Sequence, residues 1–356
     1  MQRVDIDTNR LRTSVWKSGP EDGVPLLLLH GNLVTGRFWK DVAEKLLDRF
    51  SVVAPDLRGF GRTEAKPIDA TRGLDDWTED VEALVEAIAW KGRKLHIAGW
   101  SMGGGIAMRY ATKHPDDIAS VTLVATMSPF GFGSTRDADG TPTTDDFAGS
   151  GGGAVNPEFL RRMKEGDKSA DEPTSSVRVT MSSFFWSPKY KAPDEDELLD
   201  EVLLTKVGDD WYPGDTTASQ NWPGMAPGVK GVNNAFAAKY CDTSDFGAIK
   251  QPFPVLWIRG DEDQVISDTS FFDLAYLGKL GAVPGWPGED ACPPQPMLQQ
   301  IRKVLDRYHN SSGGEVREVV LDGSGHGPVI ERSDKVAELI AEIAARPNPA
   351  GKSVSG

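Results

Sequence analysis

The sequence predicts an α/β fold: a mostly parallel sheet flanked by helices, with a long segment inserted between two of its strands. Short apolar runs alternate with amphipathic stretches over the two ends of the chain, the pattern of buried parallel strands joined by crossover helices. Between residues 128 and 250 the alternation stops, and Gly-, Pro- and aromatic-rich text takes over. A structureless loop of that length is foreign to a compact domain, so the segment reads as an inserted cap with short helices of its own.

In chain order, Val4–Trp16 alternates around Thr8-Asn9 and predicts an antiparallel hairpin at the sheet edge. Buried strands follow at Pro25–Leu29, Ser51–Ala54, Lys94–Ala98, Ser120–Ala125, Pro254–Arg259 and Val316–Leu321. Helices are predicted over Trp39–Leu47, Asp76–Trp90, Met102–Lys113 and Asp334–Ala345. In the second of these, Val81, Leu84, Val85 and Ile88 recur at helical spacing. Residues 1–127 and 251–346 therefore form the core and 128–250 the cap, with cap helices over Pro157–Glu165 and Glu195–Thr205. A second excursion, 281–296, precedes a helix at Met297–Tyr308 and is expected near the site, and 347–356 reads as a flexible tail.

Composition narrows the class. The 356 residues carry 39 Lys+Arg against 53 Asp+Glu, a formal charge of −14, which opposes any nucleic-acid surface. Hydrophobic residues at 39% and charged residues at 26% fit a globular chain. Cys241 and Cys292 show neither metal nor redox spacing, and two cysteines make no disulfide scaffold. The first residues lack the apolar core of a signal peptide, and no apolar run nears the roughly 20 residues of a membrane span. The chain reads as cytoplasmic. Neither a phosphate-cradling Gly-x-x-x-x-Gly-Lys-[Ser/Thr] run nor a metal-ligand cluster is present, so no metal and no cofactor is expected.

The sharpest local signal is Gly99-Trp100-Ser101-Met102-Gly103, set between an apolar strand and a helical run. In that context Gly-x-Ser-x-Gly is a nucleophile elbow, with small neighbours making room for a tight turn. Such a serine needs a base. Of the five histidines, His96 lies inside a strand, His114 at a helix end and His309 after a helix, while His30 ends the first parallel strand as a loop-orienting residue. His326, in a glycine-flanked loop after the last strand, is the predicted base. A carboxylate must orient it. Asp263, in Gly260-Asp261-Glu262-Asp263, is the choice, with Asp261 turned back into its loop; Asp261 and Glu262 stay open as alternatives. The backbone amides of Asn32 and Met102 are the expected oxyanion donors, and the Asn32 side chain either helps or pins its loop.

In this order, His30-Gly31-Asn32, Asp56-Leu57-Arg58-Gly59-Phe60-Gly61-Arg62-Thr63, Gly99–Gly103, Gly260–Asp263 and Gly325-His326 resemble the α/β-hydrolase fold family, in its serine hydrolase branch with an inserted cap. The resemblance covers about Val4–Ala125 and Phe253–Ala345 and implies an eight-stranded, mostly parallel sheet, a cap after the sixth strand, and Ser101, Asp263 and His326 as the triad. For substrate contact the candidates are Leu33 and the aromatics Phe184, Trp186, Trp211, Trp222 and Trp286. An anionic protein with an aromatic lid suits a neutral or apolar ester or lactone. The same triad also serves amide or prolyl-type peptide hydrolysis, carbon–carbon bond hydrolysis and perhydrolysis in such proteins, and the fold also makes cap-switched small-molecule receptors. Dehalogenation and epoxide opening are disfavoured, since those relatives carry Asp where Ser101 stands. The aromatic lid equally suits a homodimer contact.

Overall fold

Six apolar runs and one alternating hairpin assemble into a single sheet, described here from a computed structural model covering residues 1–346. The strands are β1 (Gln2–Asp7), β2 (Arg12–Ser18), β3 (Val24–Leu29), β4 (Phe50–Pro55), β5 (Leu95–Trp100), β6 (Ile118–Val124), β7 (Val255–Gly260) and β8 (Val316–Leu321). Their order across the sheet is β1-β2-β4-β3-β5-β6-β7-β8. β1 and β2 pair antiparallel, β2 joins β4 antiparallel, and every remaining pairing is parallel. The hairpin turns where Thr8 N–H donates to the Leu11 carbonyl at 3.2 Å. β4 and β5 are buried at all their residues and β3 and β6 at nearly all, which is why they read as continuous apolar runs rather than alternating ones.

Helices cover the sheet much as the periodicity requires. Met102–Lys113 and Asp75–Ala87 pack on each other, and Ser333–Ala344 packs on the short helix Lys40–Glu44. The predicted Trp39–Leu47 helix is shorter than expected: a 3-10 turn, Gly36–Trp39, capped by the Thr35 hydroxyl, takes its first residue, and the α-helix Lys40–Glu44 ends three residues early. The chain between β6 and β7 holds the expected helix Pro157–Glu165 and, ending three residues early, Glu195–Val202. It also holds a helix that periodicity missed, Val177–Phe184, whose β-branched start disguises it. Ser176 caps that helix by accepting the Val179 N–H at 3.2 Å. Two small strand pairs, Val207–Gly208 with Tyr212–Pro213 and Thr216–Ala218 with Met225–Pro227, form where no strand pattern is visible. This segment is pinned to the sheet's loops by ion pairs: buried Arg37 meets Glu197 at 2.8 Å, and Glu201 meets Arg62 at 2.8 Å. The predicted tail, 347–356, lies outside the described residues.

One buried histidine makes the sheet pH-sensitive. His96, inside β5, meets the Ser120 hydroxyl on β6 through Nδ1 at 2.7 Å. Burial, aided by the charge of Arg49, pushes its pKa down from 6.5 to about 4. The folded state thus holds the ring neutral, while the unfolded chain takes up a proton first. The stability this neutrality contributes is present in full above pH 6.5 and fades as pH falls towards 4. Between pH 7 and pH 5 the wild type should lose on the order of 2 kcal/mol more than His96→Gln in chemical denaturation. Parallel losses in both proteins would show that this ring is not held neutral.

Candidate active site

The carboxyl ends of β3, β5, β7 and β8 converge on one cavity of about 420 Å³. Each contributes a residue expected from sequence. Ser101 follows β5 at φ 57°, ψ −120° and opens the helix Met102–Lys113. Its backbone N–H donates to the Val124 carbonyl (2.9 Å), and its carbonyl accepts from Gly104 (2.9 Å) and Met127 (3.2 Å). The turn closes because Gly99 and Gly103 lack side chains. A Cβ on Gly99 would overlap the Gly103 carbonyl, and one on Gly103 would overlap the carbonyls of Leu29 and His30.

His326 and Ser101 line this same cavity. The ring is buried and donates Nδ1–H to Asp263 Oδ2 at 3.0 Å. Asp263 is fixed in turn: its Oδ1 accepts the backbone N–H groups of Val265 (2.8 Å) and Ile266 (2.9 Å), leaving Oδ2 for the imidazole. The two alternatives are engaged elsewhere. Asp261 accepts the Gly323 N–H at 2.7 Å, and Glu262 binds the Ser187 hydroxyl at 2.6 Å. Trp100 lies beneath the elbow, and its indole N–H holds the His326 carbonyl at 2.7 Å.

Asn32 and Met102 also line the cavity, and among the described residues neither backbone N–H has an acceptor. His30 orients the loop that carries Asn32. It accepts the Leu57 N–H at Nε2 (2.8 Å), so Nδ1 carries the proton and donates to the Gly31 carbonyl (2.7 Å). Burial lowers its pKa to about 4, which keeps it neutral. The Asn32 side chain donates to Asn233 at 3.4 Å, so it ties this loop to the segment between β6 and β7.

Of the six expected substrate contacts, Leu33 and Phe184 reach the cavity. The four tryptophans do not. Trp186 is a core residue at 1% exposure. Trp211 donates to the Lys66 carbonyl (3.2 Å), Trp222 to that of Pro284 (2.8 Å) and Trp286 to that of Cys292 (2.9 Å). No residue of 281–296 lines the cavity; that excursion reaches it only indirectly, where Gln295 accepts the Gly133 N–H at 2.6 Å. The wall is built largely from Phe185, Phe236 and Tyr212, aromatics of the segment that reads as a cap, and from Phe132, Phe271 and Phe272, which the sequence reading did not single out. Phe271-Phe272, an aromatic pair eight residues past Asp263, carried a usable signal; Asn233 carried none. Among the described lining residues none is Asp, Glu, Lys or Arg.

A mostly parallel sheet with a strained serine at a strand end, lining one cavity with a carboxylate-bound histidine, has the layout of an α/β hydrolase. The sequence model of the alpha/beta hydrolase fold matches residues 24–271, and the chain belongs to that family. It is 32% identical over 117 residues to a 2-hydroxymuconate semialdehyde hydrolase of Pseudomonas sp. strain CF600, a match covering 32% of this chain and 40% of that protein. It is 36% identical over 120 residues to Lipase 3 of Moraxella sp. strain TA144, covering 33% and 36%. The chain thus spans less than half the length of either curated relative. A thermophilic esterase from Thermogutta terrifontis superposes with a TM-score of 0.55 at 21% identity, over 96% of this chain and 97% of that one, a likeness of fold. Among the described residues no helix is long and apolar enough to cross a membrane.

The elbow geometry is testable without any substrate. Gly103→Ala should lower the free energy of unfolding by about 1–3 kcal/mol in chemical denaturation, since its Cβ would collide with rigid backbone. Wild-type stability in that variant would show that the helix does not approach β3 this closely.

Proposed function

We propose that the chain is a serine hydrolase that cleaves an uncharged carboxylic ester or lactone through an acyl-enzyme. The observation that carries the reading is the His326–Asp263 pair opening onto the cavity that Ser101 also lines, beside two backbone amides without acceptors. Ser101 Oγ attacks the carbonyl carbon while His326 Nε2 takes its proton. The carbonyl electrons move onto oxygen, where the Asn32 and Met102 N–H groups hold the charge; such a donor is typically worth about 10²–10³ in rate. His326 returns the proton to the departing alkoxide as the C–O bond breaks. Water, deprotonated by the same ring, then attacks the acyl-enzyme and releases acid and free Ser101. Asp263 stays ionised and stabilises the imidazolium.

The segment 128–250 acts in this reading as the cap, because Phe132, Phe184, Phe185 and Phe236 form much of the substrate wall. The wall's neutrality selects the substrate. Burying a carboxylate there, with no cation to pair it, costs several kcal/mol. That argues against an anionic substrate such as the muconate in the name of the Pseudomonas relative, and for a neutral ester as a lipase would take.

Ser101→Ala should reduce turnover of p-nitrophenyl butyrate by at least about 10³-fold with an unchanged circular dichroism spectrum. A fluorophosphonate should label the wild type and not the variant, and labelling of both would place the nucleophile elsewhere. A panel of esters, lactones and anilides identifies the preferred bond; a stoichiometric burst with no further turnover would instead mark a receptor. The acyl preference is tested by p-nitrophenyl hemisuccinate, whose kcat/KM should lie about 100-fold below that of the butyrate ester. Equal values would refute the neutral-pocket assignment.

A further inference from the structure

One residue of the segment between β6 and β7 bonds to both of the loops that present the histidine and its carboxylate. Ser187 is buried at 1% exposure. Its backbone N–H donates to Glu331 Oε2 at 2.9 Å, and its hydroxyl donates to Glu262 Oε2 at 2.6 Å. Glu262 immediately precedes Asp263. The other oxygen of Glu331, Oε1, accepts the Gly325 N–H at 2.8 Å and the Ser324 hydroxyl at 3.2 Å, on the two residues that lead into His326. The two loops are also joined directly, Glu262 N–H donating to the Ser324 carbonyl at 2.9 Å.

The packing is as close as the hydrogen bonding. A Cβ on Gly325 would overlap the backbone of Trp186 and Ser187, and one on Gly327 would overlap the Phe185 carbonyl. His326 therefore sits in a loop whose two flanking glycines are pressed on residues 185–187. Immediately upstream, Phe184 and Phe185 line the cavity. Lys189, which also reaches Glu262, is 83% exposed and adds little.

We propose that Glu331 is a positioning residue for His326, and that through Ser187 it makes the setting of that ring depend on the seating of the Phe184–Phe185 wall. This rests on the reading of His326 as the general base. Glu331 touches neither substrate nor the imidazole; it works by gathering donors from Ser187, Ser324 and Gly325. Replacing one of its acceptor oxygens leaves the N–H of Ser187 or Gly325 without a partner, which costs free energy. A loop with glycine on both sides of its histidine relieves that cost by shifting. A displacement near 1 Å of a catalytic base lowers turnover by up to about 100-fold.

The test compares wild type, Glu331→Gln and Ser187→Ala, each normalised to the concentration of sites that a fluorophosphonate titrates. Glu331→Gln should lower kcat for p-nitrophenyl butyrate by about 10–100-fold with KM changed less than about threefold. Ser187→Ala, which keeps the N–H to Glu331 and loses only the bond to Glu262, should lower kcat by about threefold to tenfold. A purely architectural Glu331 would reduce the melting temperature and leave kcat per titrated site at the wild-type value, which overturns the proposal. Should Glu331→Gln fail to fold, Glu331→Asp, which keeps the charge but shortens the reach to Ser187, Ser324 and Gly325, takes its place: wild-type kcat per titrated site overturns the proposal and a reduced kcat with unchanged KM supports it. A wild type that neither labels nor turns over overturns the hydrolase reading itself, so the control separates the two failures.

Discussion

A serine held at φ 57°, ψ −120° stores about 1–3 kcal/mol of backbone strain, and the surrounding sheet exists in a form that keeps it there. β5 delivers the residue, the helix after it continues at once, and both neighbours must approach backbone within contact distance. Leu33 after β3 (φ 63°) and Ala125 after β6 (φ 41°) are likewise left-handed without being glycine. Three adjacent strands thus end in unfavourable turns on the side where the cavity opens. Strain clustered at one edge of a sheet is what a preorganised site requires, since each turn aims a group that a relaxed loop would leave free.

Charge is managed with equal care. The protein carries a formal −14, yet among the described residues the cavity wall contains no Asp, Glu, Lys or Arg. His30 orients the loop that carries Asn32 and is kept neutral by burial, so it adds no permanent charge there. Asp263 directs one oxygen to backbone donors and the other to His326. A low-polarity wall strengthens each of these contacts, because little water remains to screen them.

Much of this was legible in the sequence for physical reasons. Fully buried parallel strands such as β4 and β5 write themselves as apolar runs, and the half-exposed edge strand β8 and the helix Met102–Lys113 also fall where the pattern puts them. Ser101 announced itself through the glycines that its turn demands. His326 and Asp263 meet because parallel strands deliver their loops to one edge, which makes position in the chain a guide to position in space. The helix Val177–Phe184 was missed since Val177, Val179 and Thr180 favour strands, and only the Ser176 cap and its packing override them. Asn233 was invisible: it meets Asn32 across 201 residues of chain, and no local pattern encodes such a pairing.

The tryptophans show where composition misleads. A sequence rich in indoles invites a substrate wall, but a half-buried indole N–H seeks an acceptor, even though the fully buried one of Trp186 has none among the described residues. Backbone carbonyls of neighbouring loops meet that demand for Trp211, Trp222 and Trp286, so these rings staple loops together and the smaller phenylalanines are left to face the cavity. Trp100 carries the same logic into the site. Next to Ser101 in sequence, it reaches across 226 residues to the His326 carbonyl, so the strand that presents Ser101 also anchors the loop that presents His326. Their relative placement is thereby tied by one rigid side chain in addition to the bonds that hold the His326 loop to Asp263 and Glu331.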